Sequence, residues 1–276
     1  MTIIDPGFTE VVRNHLIGNL AVRNTESPLI LAIFGPPGEG KTFQTEAICA
    51  DLGVRTFVIS PGELESENAG HPGQIIRQQY LAAGNNQARS PGVLVINDVD
   101  TVLGDWGQLV QYTVNRQIVY GQLMALCDFP LEVAGMATRR VPIVLTGNDP
   151  SIIYPPLLRP GRARVFRWEP SVHQRLPVVA SILPWLREPE AFGLLEEFPH
   201  QSISFWSDVR AALWEQGLGQ WILAQSPDKL MALLRDRRIL DLGAGRWTYH
   251  DIAATARRLD SDRTLTRSYL TESRSG

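Results

Sequence analysis

Five short apolar runs recur along the first part of the chain, at Leu29–Phe34, Arg55–Ile59, Val93–Asn97, Pro142–Thr146 and Arg164–Trp168. They are too short for helices and largely lack the apolar–polar alternation of a half-exposed strand. Such runs predict strands buried on both faces, as in a parallel sheet. The segments between them read as helices. Gln74–Ala83 carries apolar residues at helical spacing, and Val114–Phe129 repeats Ile118, Leu123 and Leu126 at similar intervals. The pattern therefore predicts an α/β fold, a five-stranded parallel sheet with helices on both faces.

After Trp168-Glu169-Pro170 the pattern changes. Strand-like runs end, and helical segments rich in Leu, Ala and Trp, separated by Pro and Gly, continue to about Leu259. This predicts an α/β domain over 1–170 and a small helical domain over 171–259. Six of the seven tryptophans (Trp168, Trp185, Trp206, Trp214, Trp221 and Trp247) lie at or beyond the change and are expected to form the core of the helical domain. Residues 260–276 are polar and rich in Ser, Thr and Arg, and are expected to be a disordered tail.

Composition narrows the setting. A formal charge of −3 over 276 residues argues against a nucleic-acid partner, which selects a basic face. Cys49 and Cys127 lie in apolar, helix-like stretches and read as reduced thiols. The N-terminus lacks the basic and apolar regions of a signal peptide, and no stretch approaches membrane-spanning length, so a cytoplasmic protein without a membrane partner is expected. His15, His71, His173, His200 and His250 show no metal-ligand spacing.

The candidate chemistry begins at the end of the first predicted strand. Gly35-Pro36-Pro37-Gly38-Glu39-Gly40-Lys41-Thr42 is a complete G-x-x-x-x-G-K-T phosphate loop between a strand and a helix. Glycines let successive N–H groups curl around an anion, and the following helix points its positive end at the same place. Lys41 is expected on the β and γ phosphates of ATP and Thr42 on Mg²⁺, with Phe43 beside the nucleotide. The third strand ends Asn97-Asp98-Val99-Asp100. Asp98 is the candidate for associating with Mg²⁺ through water and for polarising the attacking water, whereas Asp100 reads as a cap on the following turn. Asn148, at the end of the fourth strand, could tolerate a left-handed turn. In register with the upstream motifs, it can instead hydrogen-bond both the lytic water and the γ-phosphate. Arg159 and Arg162 flank a stiff Pro-Gly turn, the arrangement a subunit needs to reach a neighbour's γ-phosphate.

These strings, in this order, resemble the AAA+ ATPase superfamily, with Gly35–Thr42 as Walker A, Ile96–Asp100 as Walker B, Thr146–Asn148 as sensor 1 and Leu158–Arg162 as the arginine-finger element. A narrower resemblance, to Rubisco activase, rests on Ser60–Gly70, Phe34–Gln44, the Asn97-Asp98 pair, Gln111–Asn115 and Val141–Asp149. It implies an ATPase with a helical lid that forms a homo-oligomeric, hexameric ring. Such a ring would engage a flexible segment of inhibited Rubisco and release bound sugar phosphates. It also implies a cytoplasmic site in a photosynthetic bacterium, in association with a carboxysome.

By matching position, the pore-facing residues would be Glu63, Leu64, Glu65, Ser66, Glu67 and Asn68, then Asp105, Trp106 and Tyr112. Without the resemblance, the acidic loop would read as a solvated surface. Arg210 is similar to the lid arginine that senses nucleotide, while the position of a second such arginine holds Ala212. The chain is expected to lack both the N-terminal extension of plant members and the small-subunit-like module of several cyanobacterial ones. Two rival readings are an ATP-dependent scaffold with slow hydrolysis and no threaded client, and a DNA-acting AAA+ protein that the acidic balance disfavours.

Overall fold

A computed structural model describes residues 3–64, 70–85, 90–103, 110–236 and 247–272. The chain divides into two compact units, Met1–Glu169 and Pro170–Gly276.

The first unit opens with α1 (Pro6–Leu20), which starts where two local signals coincide. The Asp5 carboxylate accepts the Phe8 N–H at 2.9 Å, and Pro6 takes the first helical position, where its missing N–H costs nothing. Then follow β1 (Ile30–Phe34), α2 (Lys41–Asp51), β2 (Arg55–Ile59), a single turn α3 (Pro61–Leu64), α4 (His71–Gly84) and β3 (Gly92–Ile96). Next come α5 (Val99–Leu103), α6 (Val110–Asp128), a two-residue hairpin β4 (Glu132–Val133) and β5 (Met136–Ala137), β6 (Ile143–Gly147), α7 (Pro155–Leu158) and β7 (Ala163–Arg167). The five long strands match the five predicted runs to within a residue or so at their ends. The hairpin had no signal in the apolar pattern.

The five-stranded sheet is parallel throughout, in the order β2-β3-β6-β1-β7. Every residue of the central strands β1, β3 and β6 is buried, whereas β2 and β7 expose residues because they are edges. Alternation along each strand divides the core between the two faces. Ile30, Ala32 and Phe34 join Ile76, Tyr80, Leu123 and Leu126 from α4 and α6. Leu31 and Ile33 join Phe8, Val12 and Leu16 of α1 and Ile48 and Cys49 of α2. The pairings Phe34 with Gly147 and Ile96 with Leu145 bring the carboxyl ends of β1, β3 and β6 together. The segments after those three strands therefore emerge side by side.

The second unit comprises α8 (Val172–Ile182), α9 (Glu188–Glu197), α10 (Ile203–Leu223), α11 (Pro227–Arg235) and α12 (Tyr249–Glu272). Its core joins Val179, Leu194, Phe205, Trp206, Val209 and Ile252. The tryptophan expectation holds only in part. Trp206 is fully buried there, but Trp214 is 54 % exposed, and Trp168 belongs to the core of the first unit. The stretch expected to be a disordered tail overlaps α12, which runs to Glu272 and packs Ile252, Ala253 and Ala256 into the core of this unit. No described helix is long and apolar enough to cross a membrane.

Candidate nucleotide site

The phosphate loop leaves β1 and enters α2 through two left-handed glycines, Gly38 at φ 76° and Gly40 at φ 75°. That conformation is nearly strain-free only for glycine. Gly35 is needed for a different reason: a Cβ there would lie 1.8 Å from the carbonyl oxygen of Trp168. Trp168 braces the whole loop. Its backbone N–H donates to the Phe34 carbonyl at 2.6 Å, and its indole Nε1–H to the Glu39 carbonyl at 2.8 Å. The ring is buried against Phe8 and Phe166. On α2, buried Gln44 accepts the Asp5 N–H at 3.0 Å and ties the helix to the start of α1.

Lys41, at the first position of α2, is 6 % exposed. Its ammonium donates to the carbonyls of Gly35 (2.8 Å) and Pro36 (2.9 Å) and to Asn148 Oδ1 (3.0 Å). All three protons therefore have acceptors. Burial pushes its pKa down from the ordinary lysine value, and the nearby carboxylates of Asp100, Asp98 and Glu39 oppose that shift. A desolvated cation held by neutral oxygens gains more from a phosphate than a solvated one does.

Thr42 stands beside a cluster that joins three segments. Its hydroxyl donates to Asn97 Oδ1 at 3.2 Å and lies 3.4 Å from the hydroxyl of Thr146. Thr146, fully buried on β6, donates to the same Asn97 oxygen at 3.1 Å and accepts the Asp98 N–H at 3.3 Å. The Asn97 amide oxygen thus collects two hydroxyl protons. Asp98 is exposed and has φ 46°, an uncommon conformation for a residue with a side chain. Its carbonyl accepts the N–H and the hydroxyl of Thr101. Asp100 does not cap its own turn as expected; its Oδ2 accepts the Asn148 N–H at 2.9 Å. Asn148 is therefore held on its backbone by Asp100 while its side chain meets Lys41.

The two arginines of the Pro-Gly turn diverge. Arg159 is exposed just after α7, and its side chain makes no hydrogen bond or ion pair among the described residues. Arg162 grips Asp128 at the end of α6, with Nη2 2.8 Å from Oδ2 and Nε 3.2 Å from Oδ1, and donates from Nη1 to the Pro156 carbonyl. The sequence put both in the role of reaching a neighbour. Arg162 is instead committed within its own chain, because it would have to break a bidentate pair to leave.

Among the remaining candidates, Phe43 is exposed on α2 and Arg210 is exposed on α10 in the second unit. Leu64 was expected to face a pore, yet it is 2 % exposed and packs in the main core, where its apolar side chain is best hidden from water. Glu63 accepts the N–H and hydroxyl of Ser60, both at 2.7 Å, and these bonds hold its carboxyl below the usual range. Glu65, Ser66, Glu67, Asn68, Asp105 and Trp106 lie outside the described residues. Tyr112 lies on α6, but its side chain is outside the description.

Burial pushes the thiols of Cys49 and Cys127 up to about 12, so both are protonated at neutral pH. No group of three or more His, Cys, Asp or Glu among the described residues is arranged to hold a metal. The oxygen set of Thr42, Asn97 and Asp98 nevertheless fits Mg²⁺, a hard cation that keeps waters and takes most of its other ligands from phosphates. Sequence reasoning missed three supporting residues. Trp168 carries no motif. Gln44 and Thr146 were read only as parts of strings, although a threonine near the end of a buried strand is a signal in itself.

Comparison with known proteins agrees with this geometry. Residues 31–170 match the model of the ATPase family associated with various cellular activities, AAA. The chain is 38 % identical over 229 residues to ribulose bisphosphate carboxylase/oxygenase activase 2, chloroplastic, of Larrea tridentata, covering 79 % of this chain and 53 % of that protein. It is 39 % identical over 229 residues to the chloroplastic activase of Vigna radiata var. radiata, covering 79 % and 52 %. The chain thus spans about half the length of these curated relatives. The crystal structure of the FIGL-1 AAA domain in complex with ADP superposes with a TM-score of 0.63 at 17 % identity, covering 97 % of this chain and 87 % of that one. At that identity the likeness speaks for the fold alone. With the family model spanning the sheet and every segment that meets at its carboxyl edge, the chain belongs to the AAA family of ATPases.

Proposed function

We propose that this chain is an ATP-hydrolysing remodelling protein of Rubisco-activase type that acts as a ring of identical subunits. The observation that carries the reading is the convergence of Lys41, Thr42, Asn97, Asp98 and Asn148 on one sheet edge. Open α/β sheets bind ligands at that edge. Lys41 would bind the β and γ phosphates, and the loop N–H groups with the α2 terminus would cradle them. Mg²⁺, when bound near Thr42, Asn97 and Asp98, neutralises phosphate charge. Asp98 would accept a hydrogen bond from the attacking water while Asn148 orients it.

Arg159 is the side chain left free to cross to a neighbouring nucleotide, and Arg162 stiffens the turn that presents it. An arginine supplied in trans is worth ~10³–10⁵ in rate. Arg210 would report nucleotide state to the helical unit, which would serve as the lid. The named activity of the relatives supports Rubisco as the client.

The test is ATP turnover with and without sugar-phosphate-inhibited Rubisco, read together with carboxylase recovery. Both are expected to rise together, and Lys41→Ala to abolish both. A second reading is a nucleotide-gated scaffold that hydrolyses ATP slowly. It is favoured by Asn97, a neutral amide already engaged by two hydroxyls beside Asp98. ATP-dependent assembly with turnover that ignores inhibited Rubisco would select it.

A further inference from the structure

The scheme above leaves one carboxylate at the sheet edge without a task. Asp100 leaves its own segment to accept the Asn148 N–H at 2.9 Å, and Asn148 Oδ1 in turn accepts from Lys41 at 3.0 Å. A carboxylate on α5 thus fixes the main chain from which the sensing amide reaches the lysine. Gly147 allows this approach: a Cβ there would lie 3.1 Å from Asp100 Oδ1 and 2.8 Å from the Phe34 ring. Asp100 Oδ1 is buried and has no hydrogen-bond partner, an acceptor that a carboxylate placed only for packing has no reason to keep unused. Asp98 cannot substitute for Asp100, since Asp98 is exposed and its backbone is turned into the left-handed region.

We propose that Asp100 is the positioning residue of this site, holding Asn148 so that its amide oxygen meets the Lys41 ammonium. The proposal rests on the nucleotide reading of the site, but its geometric half can be tested without it. In the Asp100→Ala full chain, hydrogen–deuterium exchange at the Asn148 amide should accelerate about tenfold or more. In Asp100→Asn it should stay near wild type, because the amide oxygen still accepts the same N–H. Unchanged exchange in Asp100→Ala overturns the proposal, whatever the protein does to ATP.

In turnover assays Asp100→Ala and Asn148→Ala should each lower kcat about tenfold or more, and the double variant should fall no further than Asn148→Ala alone. Multiplying losses would show that Asp100 acts independently of Asn148. Asp100→Asn should recover most of kcat, because its amide oxygen still accepts the Asn148 N–H. Asp100→Asn as damaged as Asp100→Ala would overturn a role exerted through that bond. If wild type neither binds nor cleaves ATP, the nucleotide reading fails, while the exchange result still decides the positioning claim.

Discussion

The two ends of the same parallel sheet carry polar clusters of opposite character. At the carboxyl edge, Lys41, Thr42, Asn97, Thr146 and Asn148 meet through bonds of 3.0–3.4 Å, Asp98 is held left-handed, and a buried Asp100 oxygen is unused. At the amino edge, Arg140 donates to Asn19 Oδ1 at 2.7 Å and to the Ser27 carbonyl at 2.9 Å. Asn19 donates to the carbonyls of His15 and Pro28, and the Tyr80 hydroxyl accepts the Val141 N–H while donating to the Pro130 carbonyl. That end closes mostly on backbone oxygens and ties α1, α4 and the loops before β1 and β6. His15, buried beside Asn19, is driven down to about 4 by burial and is neutral at pH 7. The lesson is that one sheet carries two kinds of polar cluster: at the amino edge the groups close mostly on backbone oxygens, with His15 Nε2 the buried exception, whereas at the carboxyl edge a left-handed Asp98 and a spare Asp100 oxygen stand where a charged ligand could use them.

The comparison can be broken most severely at the carboxyl edge. Arg159→Ala is expected to cut ATP turnover ~10³-fold while leaving affinity, read by calorimetry, unchanged. Lys41→Ala should weaken ATP binding by about 100-fold or more, read by calorimetry. At the amino edge the expected effects are on stability alone. The unfolded chain binds a proton at His15 below about 6.5 that the native chain refuses until about 4. Stability should therefore fall across that window as pH drops, by about 3 kcal/mol in total, and urea titrations of His15→Gln should flatten the slope. Arg162→Ala is the smallest and most discriminating test. Removing its partly exposed pair with Asp128 should cost about 1–2 kcal/mol of stability. It should slow turnover far less than Arg159→Ala does; equal kinetic losses would return Arg162 to the trans-acting role.

Much of the first unit was legible because its signals are local. The five buried strands announce themselves as short apolar runs, and the loop from Gly35 to Thr42 carries its chemistry in consecutive residues. Asn97, Asp98 and Asn148 could be placed near that loop because a parallel sheet brings strand ends to one edge. Several misreadings concern residues whose partners are distant in the chain. Trp168 looked like core for the helical unit, yet its indole serves the Glu39 carbonyl, 129 positions away. Asp100 looked like a local cap, yet it binds 48 residues downstream. Leu64 sat in a string matched to a pore loop, and burial claimed it. The polar stretch from Asp260 read as tail overlaps α12, which runs to Glu272; polarity alone does not oppose helix formation.

By itself, then, the order of residues determined the strand set, the phosphate loop, the change of architecture near residue 170 and the short roster of groups proposed to handle a triphosphate. Only tertiary structure decided the strand order β2-β3-β6-β1-β7, the separate fates of Arg159 and Arg162, and the linkage Asp100–Asn148–Lys41. Local spacing sets which dihedrals and which buried faces are favoured. A hydrogen bond or ion pair across the fold exists only once the sheet has brought its two partners within 3 Å or so, a distance that no neighbouring residue encodes.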